Sequence, residues 1–134
     1  IACGVDGSGK WSGIAAGADG LLYCAPCNAS TVLVIDPARG SCSTIACGVD
    51  GSGKWSGIAA GADGLLYCAP RSASTVLVID PASGSCSTIA CGVDGSGKWS
   101  GIAAGADGLL YCAPCNASTV LVIDPARGSC STIA

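Results

Sequence analysis

The chain has 134 residues, of which half are hydrophobic and only 11% are charged, with a net charge of −3. Its six cations are spread along the chain, so the basic stripe of a nucleic-acid-binding surface is absent. No apolar run reaches the roughly 18 residues that span a bilayer, and the first ten residues do not resemble a targeting signal. The chain has 21 glycines and no Glu, Gln, His, Met or Phe. This composition favours β-strands over long helices.

A 44-residue unit occurs three times, at residues 1–44, 45–88 and 89–134, the last including two residues that begin a fourth copy. The first and third copies are identical. The middle copy differs only at Arg71, Ser72 and Ser83, where the other copies have Cys, Asn and Arg. Such identity indicates that the repeat was amplified recently or was engineered.

Turn signals divide each unit into four short apolar runs, which we predict to be strands. A glycine-rich loop, Gly4–Gly9, precedes them. In the first copy the predicted strands are Trp11–Ala18, Leu21–Ala25, Thr31–Asp36 and Ser41–Cys47. Asp19–Gly20 is typical of a tight hairpin turn. Thr31–Asp36 is apolar on both faces, so we expect it to be buried on both.

Four strands in a period of 40–50 residues predict one blade of a β-propeller. A β-helix is the alternative, but its coils usually need fewer residues. The pattern W-x-G-I-A…D-G-x-L-Y…S-x-V-x-V-I-D-P resembles blades of NHL, kelch and related propellers, and also those of symmetric designer propellers built from repeats. It lacks the His–Trp–Asp pattern of WD40 blades and the kelch double glycine. The resemblance implies an all-β propeller fold with three four-stranded blades, and it implies no activity.

The first strand of each unit is expected to line the central channel, because Gly13–Ala18 is made almost entirely of small residues. A tryptophan stands at the start of each of these strands. We predict that Trp11, Trp55 and Trp99 pack between neighbouring blades rather than stack on a ligand.

Three blades do not close a ring, because propellers typically have about four to eight. The two ends of a three-blade arc are complementary, so a head-to-tail contact either closes or continues as a filament. We expect the chain to partner itself, as a homodimer with six blades or a homotrimer with nine. An open filament and excision from a longer array are the alternatives. Ile1–Cys3 is predicted to extend the last strand of a neighbouring copy.

Three motifs suggest chemistry, and a simpler interpretation exists for each. Gly4–Lys10 matches the G-x-x-x-x-G-K phosphate loop, but a tryptophan follows where Ser or Thr and a helix are needed, which favours a turn. The C-x-x-C pairs are weak candidates for binding a metal, which needs two pairs to converge; their residues are Cys24, Cys27, Cys112 and Cys115. Asn28 and Asn116 begin N-glycosylation sequons that the middle copy lacks. The aspartates of each repeat could suggest a calcium site, but their pattern is more typical of turns.

The eleven cysteines are either buried thiols that replace small apolar residues or part of a disulfide framework, in which an odd count leaves one unpaired. The absence of histidine excludes His-dependent triads, and no pattern points to an enzyme or a cofactor. The sequence therefore favours a non-enzymatic structural or interaction scaffold that self-assembles. The alternatives are a Cys-rich ligand- or metal-binding propeller module and a disulfide-stabilised secreted repeat.

Overall fold

The computed structural model of the chain describes residues 2–134, so Ile1, the first residue of the predicted pairing segment Ile1–Cys3, lies outside it. Its regular elements are twelve β-strands in three sheets. Among residues 2–134 no helix is long and apolar enough to cross a membrane. The strands of the first sheet are β1 (Trp11–Ala16), β2 (Leu22–Pro26), β3 (Thr31–Asp36) and β4 (Ser41–Ala46). Those of the second are β5 (Trp55–Ala60), β6 (Leu66–Pro70), β7 (Thr75–Asp80) and β8 (Ser85–Ala90). Those of the third are β9 (Trp99–Ala104), β10 (Leu110–Pro114), β11 (Val120–Asp124) and β12 (Ser129–Ile133).

Each sheet is an antiparallel meander in which every strand pairs with the next along the chain. This is the arrangement of a propeller blade. The predicted all-β fold with three four-stranded blades is confirmed. Each fourth strand crosses a boundary of the sequence repeat, since β4 runs from Ser41 to Ala46.

The first strand is two residues shorter than predicted, since β1 ends at Ala16 and the predicted end was Ala18. The carboxylate of Asp19 organises the intervening turn: Oδ1 accepts a bond from the Leu21 backbone N–H at 3.0 Å, and Oδ2 accepts one from the Tyr23 hydroxyl at 2.6 Å. Gly17 closes the turn by donating its N–H to the Leu21 carbonyl at 2.8 Å. These bonds take residues 17–21 out of the strands, so β2 begins at Leu22 and includes Pro26 as its last residue.

A bulge interrupts the first strand of each blade. In the first blade, Trp11 pairs with Pro26 and Ile14 with Cys24, so β1 carries one more residue than β2 between these pairs. Gly13 lies in the bulge at a φ of 91°, where a side chain would be strained. A bulge bends its strand and re-aims its side chains, and this one lies where neighbouring blades meet.

The hydrophobic core lies between the blades rather than within one. The middle residues of the third strands are buried, as predicted, and in the second blade Val76 and Val78 face the third blade while Leu77 and Ile79 face the first. Two core clusters result, one at the join of the first and second blades and one at the join of the second and third.

Candidate functional site: the blade joins, the end faces and the loop cavity

The tryptophans that begin the second and third blades are fully buried in these two joins. Trp55 packs with Tyr23, Val32 and other residues of the first blade, and Trp99 packs with their counterparts in the second. Their indole N–H groups donate to the carbonyls of Thr75 and Thr119, each at 2.7 Å. A buried tryptophan normally has such a partner. Trp11 makes the equivalent bond, to Thr31 at 2.8 Å, but remains partly exposed because no blade precedes it in the described residues.

The first strands of adjacent blades touch through glycine and serine. A Cβ on Gly57 would lie 2.7 Å from the Cα of Gly101, a distance that real Cβ atoms do not adopt. The serine hydroxyls form a ladder, with Oγ–Oγ distances of 3.0 Å between Ser12 and Ser56 and 3.1 Å between Ser56 and Ser100. The sequence predicted only that Gly13–Ala18 is made of small residues, and the serine before it carried no prediction. Their recurrence one residue apart behind each tryptophan was the available signal.

A buried lysine also links each pair of blades. The Nζ of Lys54 donates to the carbonyls of Ala29 at 2.7 Å and Cys27 at 3.1 Å in the first blade, and to Gly51 at 2.9 Å. Lys98 makes the equivalent bonds, including 2.8 Å to the Ala73 carbonyl. Hydrogen bonds from a charged group are stronger than neutral ones, and they compensate for taking the ammonium out of water. The motif Gly4–Lys10 and its copies therefore lead into strands. The lysines that end the second and third copies, Lys54 and Lys98, join two blades.

The first and third blades each present one unpaired face. The leading face, on the first blade, carries residues equivalent to those buried in the second: Trp11, Ile14, Leu22, Cys24, Leu33 and Ile35. The trailing face, on the third blade, carries Tyr111, Ala113, Val120, Val122 and Ile133. Ile14 is 56% exposed whereas its counterpart Ile58 is 8% exposed. Ile133 is 52% exposed, and its counterparts Ile45 and Ile89 pack against the two core clusters.

Hydrogen-bonding groups on the two end faces are complementary. On the first blade, the Nζ of Lys10 donates only to Gly7, at 2.9 Å, within the part of the chain that the structure describes. On the third blade, the carbonyls of Cys115 and Ala117 correspond to those that Lys54 binds in the first. The leading face therefore carries an ammonium donor where the trailing face carries carbonyl acceptors.

The residues of the C-x-x-C pairs lie in different surroundings. Cys24 and Cys112 are buried on blade faces, Cys27 lies in the loop after β2, and Cys115 is exposed in the loop after β10. Within residues 2–134, no group of three or more Cys, Asp or His side chains is arranged to hold a metal ion. All eleven cysteines are free thiols. Burial is the main cause that raises the pKa of Cys112 to about 12. Burial, with a smaller contribution from the nearby Cys91 thiol, raises the pKa of Cys130 to about 11. These thiols are therefore poor nucleophiles and metal ligands.

The sequon asparagines take part in the loops between blades. Asn28 donates its Nδ2 to the Ser8 carbonyl at 3.1 Å, and its Oδ1 accepts from the Gly53 N–H of the next blade at 2.8 Å. In the second blade Ser72 replaces it, and its Oγ accepts from Gly97 at 3.2 Å. Asn116 donates to the Ser96 carbonyl at 3.4 Å. Asn28 and Ser72 therefore cap an N–H of the next blade, whereas the bond of Asn116 stays within the third blade.

A loop cavity of about 590 Å³ brings together several of these residues. All three blades contribute to it, through the loops that precede β1, β5 and β9 and the loops that follow β2, β6 and β10. Its wall includes Cys27, Asn28, Arg71, Ser72 and Asn116. The differences between the repeats point to this region, because two of the three positions at which the repeats differ, Arg71 and Ser72, lie on the wall.

No protein-family model and no curated protein sequence matches the chain. Solved structures do match it. Virginiamycin B lyase from Staphylococcus aureus is 19% identical with a TM-score of 0.82, over 96% of this chain and 43% of the lyase. A catalytically inactive histidine-to-alanine variant of that lyase with quinupristin matches with 19% identity and a TM-score of 0.80, over 96% of this chain and 43% of the variant. An auxiliary nutrient binding protein from Bacteroides ovatus is 14% identical with a TM-score of 0.68, over 97% of this chain and 33% of that protein. The chain spans less than half the length of each. At these identities the likeness concerns the fold alone, and the fold is that of a β-propeller.

Proposed function

We propose that the chain is a non-enzymatic scaffold whose three-blade arc assembles head to tail with copies of itself into a closed ring. The ring is a homodimer with six blades or a homotrimer with nine. The β-propeller fold supports a scaffold or interaction module. The observation that carries the proposal is the position of Ile14 and Ile133, the two exposed large hydrophobic residues of the described chain, which lie on opposite end faces.

The end faces repeat the two halves of a join that the chain already forms twice. Fully burying a side chain such as Ile14 contributes about 1.5–3 kcal/mol. Contact between copies would also give the Nζ of Lys10 the carbonyls of Cys115 and Ala117. Large apolar patches rimmed by polar groups mark interaction sites, and here the surface with the matching shape and bonds is the other end of the same chain.

A scaffold role is also supported by the types of side chain that the chain contains. The lyase with the similar fold is catalytically inactive as a histidine-to-alanine variant, and this chain contains no histidine. The buried thiols with raised pKa do not offer a ready nucleophile in its place.

Native mass spectrometry at micromolar concentration, in reductant, tests the proposal. We expect a single species of two or three chain masses. A monomer would overturn self-assembly, and a broad series of larger species would overturn ring closure. Ile14→Asp places a charge on the leading face and should give a folded monomer by mass and circular dichroism. Ala38→Asp places the same charge on the exposed β3–β4 hairpin and should leave the assembly intact.

A further inference from the structure

The loop cavity contains one charged side chain among the described residues that line it, Arg71. Its Nη1 lies 3.4 Å from the position that a Cβ on Gly53 would occupy, so the guanidinium rests against the cavity wall. No carboxylate of residues 2–134 lies within 4.0 Å of it. The other two arginines differ: Arg39 and Arg127 lie 3.8 and 3.7 Å from the carboxylates of Asp36 and Asp124. Arg71 is therefore the arginine whose charge is left for another partner.

The repeats differ in a way that concentrates charge in this cavity. Each repeat has one lysine and one arginine, but the first and third carry the arginine on the outer β3–β4 hairpin, at positions 39 and 127. The middle repeat has Ser83 at that position and carries Arg71 where the others have cysteine. The middle blade thus has its guanidinium at the cavity rather than at the outer edge.

The rest of the wall suits an anion. It is built from backbone, hydroxyl and amide groups, with no acidic side chain among its described residues, so a bound anion meets no like charge. Ser52 and Ser96 also line the cavity, and serine hydroxyls are able to donate hydrogen bonds. A guanidinium presents parallel N–H groups that match the oxygens of a phosphate or carboxylate.

We propose that the loop cavity binds a small anion whose phosphate or carboxylate group pairs with Arg71. The lining residues of the loop cavity all come from one chain, so the site does not depend on the proposed assembly. A single guanidinium with hydroxyl support in a solvent-accessible cavity corresponds to weak binding, with a Kd of about 1 mM. The interaction should weaken as ionic strength rises, because it is driven by charge.

Isothermal titration at low salt and in reductant tests the site with two probes, inorganic phosphate and citrate. Saturable binding of either probe is expected, and the stronger probe identifies the group that the site prefers. Arg71→Cys restores the residue of the other repeats, so it should fold, and it should weaken binding about tenfold or more. Arg39→Ser and Arg127→Ser remove the same charge from the outer hairpins, as Ser83 does naturally, and should leave the Kd unchanged.

The proposal is overturned if neither probe saturates, or if the Arg71→Cys variant binds as tightly as the parent chain. It is also overturned if Arg39→Ser or Arg127→Ser weakens binding as much as Arg71→Cys does, because net charge alone would then explain the effect. Measuring the mass of each variant under the titration conditions separates loss of the anion site from loss of assembly.

Discussion

Gly13 and Gly57 meet backbone to backbone at the first blade join, where a Cβ on Gly13 would lie 2.8 Å from the Cα of Gly57. Gly57 and Gly101 repeat the contact at the second join, at 2.7 Å. This approach lets the neighbouring serine hydroxyls bond across each join. A side chain at these positions would push the first strands apart and open the core beneath them.

Replacing Gly57 with alanine should therefore be more damaging than replacing Gly101. Both residues have φ near 90°, so either alanine is strained by about 1–2 kcal/mol. Only Gly57→Ala also clashes within the chain, since nothing lies within 4 Å of a Cβ on Gly101. Overpacking adds about 1–3 kcal/mol. Denaturant unfolding of the dissociated chains should show this difference, and equal destabilisation would contradict the close contact.

Lys54→Met should destabilise the dissociated chain by about 3 kcal/mol, because the Ala29 carbonyl loses a strong, charge-assisted bond inside a join. The matched control is Lys10→Met. Lys10 has the same local sequence, but among residues 2–134 its Nζ donates a hydrogen bond only to Gly7, and it is more exposed. Its loss should therefore change stability by less than about 0.5 kcal/mol. The free energy of unfolding from urea titrations measures both. Similar values for the two variants would argue against a structural role for the buried ammonium.

Local sequence chemistry was enough to predict the strands and turns. The run Thr31–Asp36 has apolar residues on both faces and forms a strand buried on both. Asp19–Gly20 does lie in the turn between β1 and β2, but the tight hairpin turn was wrong in length, since residues 17–21 all lie outside the strands. The strand ends were misplaced by up to two residues because the bonds between Asp19, Leu21 and Tyr23 depend on the folded hairpin, and no residue pattern gives their geometry.

The joins were harder to predict, because identical residues have different surroundings in successive copies. Lys10 and Lys54 stand in the same sequence, GSGKWSG, yet only Lys54 finds carbonyls of a preceding blade. Contacts between residues 25–27 positions apart, such as Lys54 with Ala29, follow from how blades stack rather than from periodicity. The loop cavity likewise exists only once three blades have packed together.

Alkaline pH should destabilise the chain, starting near the ordinary thiol pKa. Burial first, and neighbouring thiols second, raise the pKa of Cys86 from 9.0 to about 11 and that of Cys112 to about 12. Below pH 9 both states keep these protons, and the stabilisation is fully present. Above it the unfolded chain releases them first and binds fewer protons than the folded chain, so stability falls as pH rises towards about 12.

Urea titrations in reductant between pH 8 and pH 10 measure this effect. Tyr23 and Tyr67 also have raised pKa values, caused first by burial and then by the bonds to Asp19 and Asp63. An unfolded tyrosine has a pKa of about 10 and stays largely protonated below about pH 9, so the lower part of the range reports mainly thiols. Cys112→Ala should reduce the slope of stability against pH. An unchanged slope would show that the buried thiols do not control it.

The two sequon asparagines provide a test of the joins in which the chain supplies its own control. Asn28 caps Gly53 within the chain at 2.8 Å, whereas no N–H of the described residues reaches the Oδ1 of Asn116. Asn28→Ala should therefore lower the free energy of unfolding of the dissociated chain by about 1 kcal/mol more than Asn116→Ala does.

If Gly9 of a second copy donates to Asn116, the Asn116→Ala variant should instead weaken assembly, about fivefold for each join. Asn116→Ser should preserve assembly, because Ser72 fills the same position in the second blade and caps Gly97. Sedimentation velocity over a dilution series measures the assembly, and equal assembly of the parent chain, Asn116→Ala and Asn116→Ser would exclude Asn116 from the contact between copies.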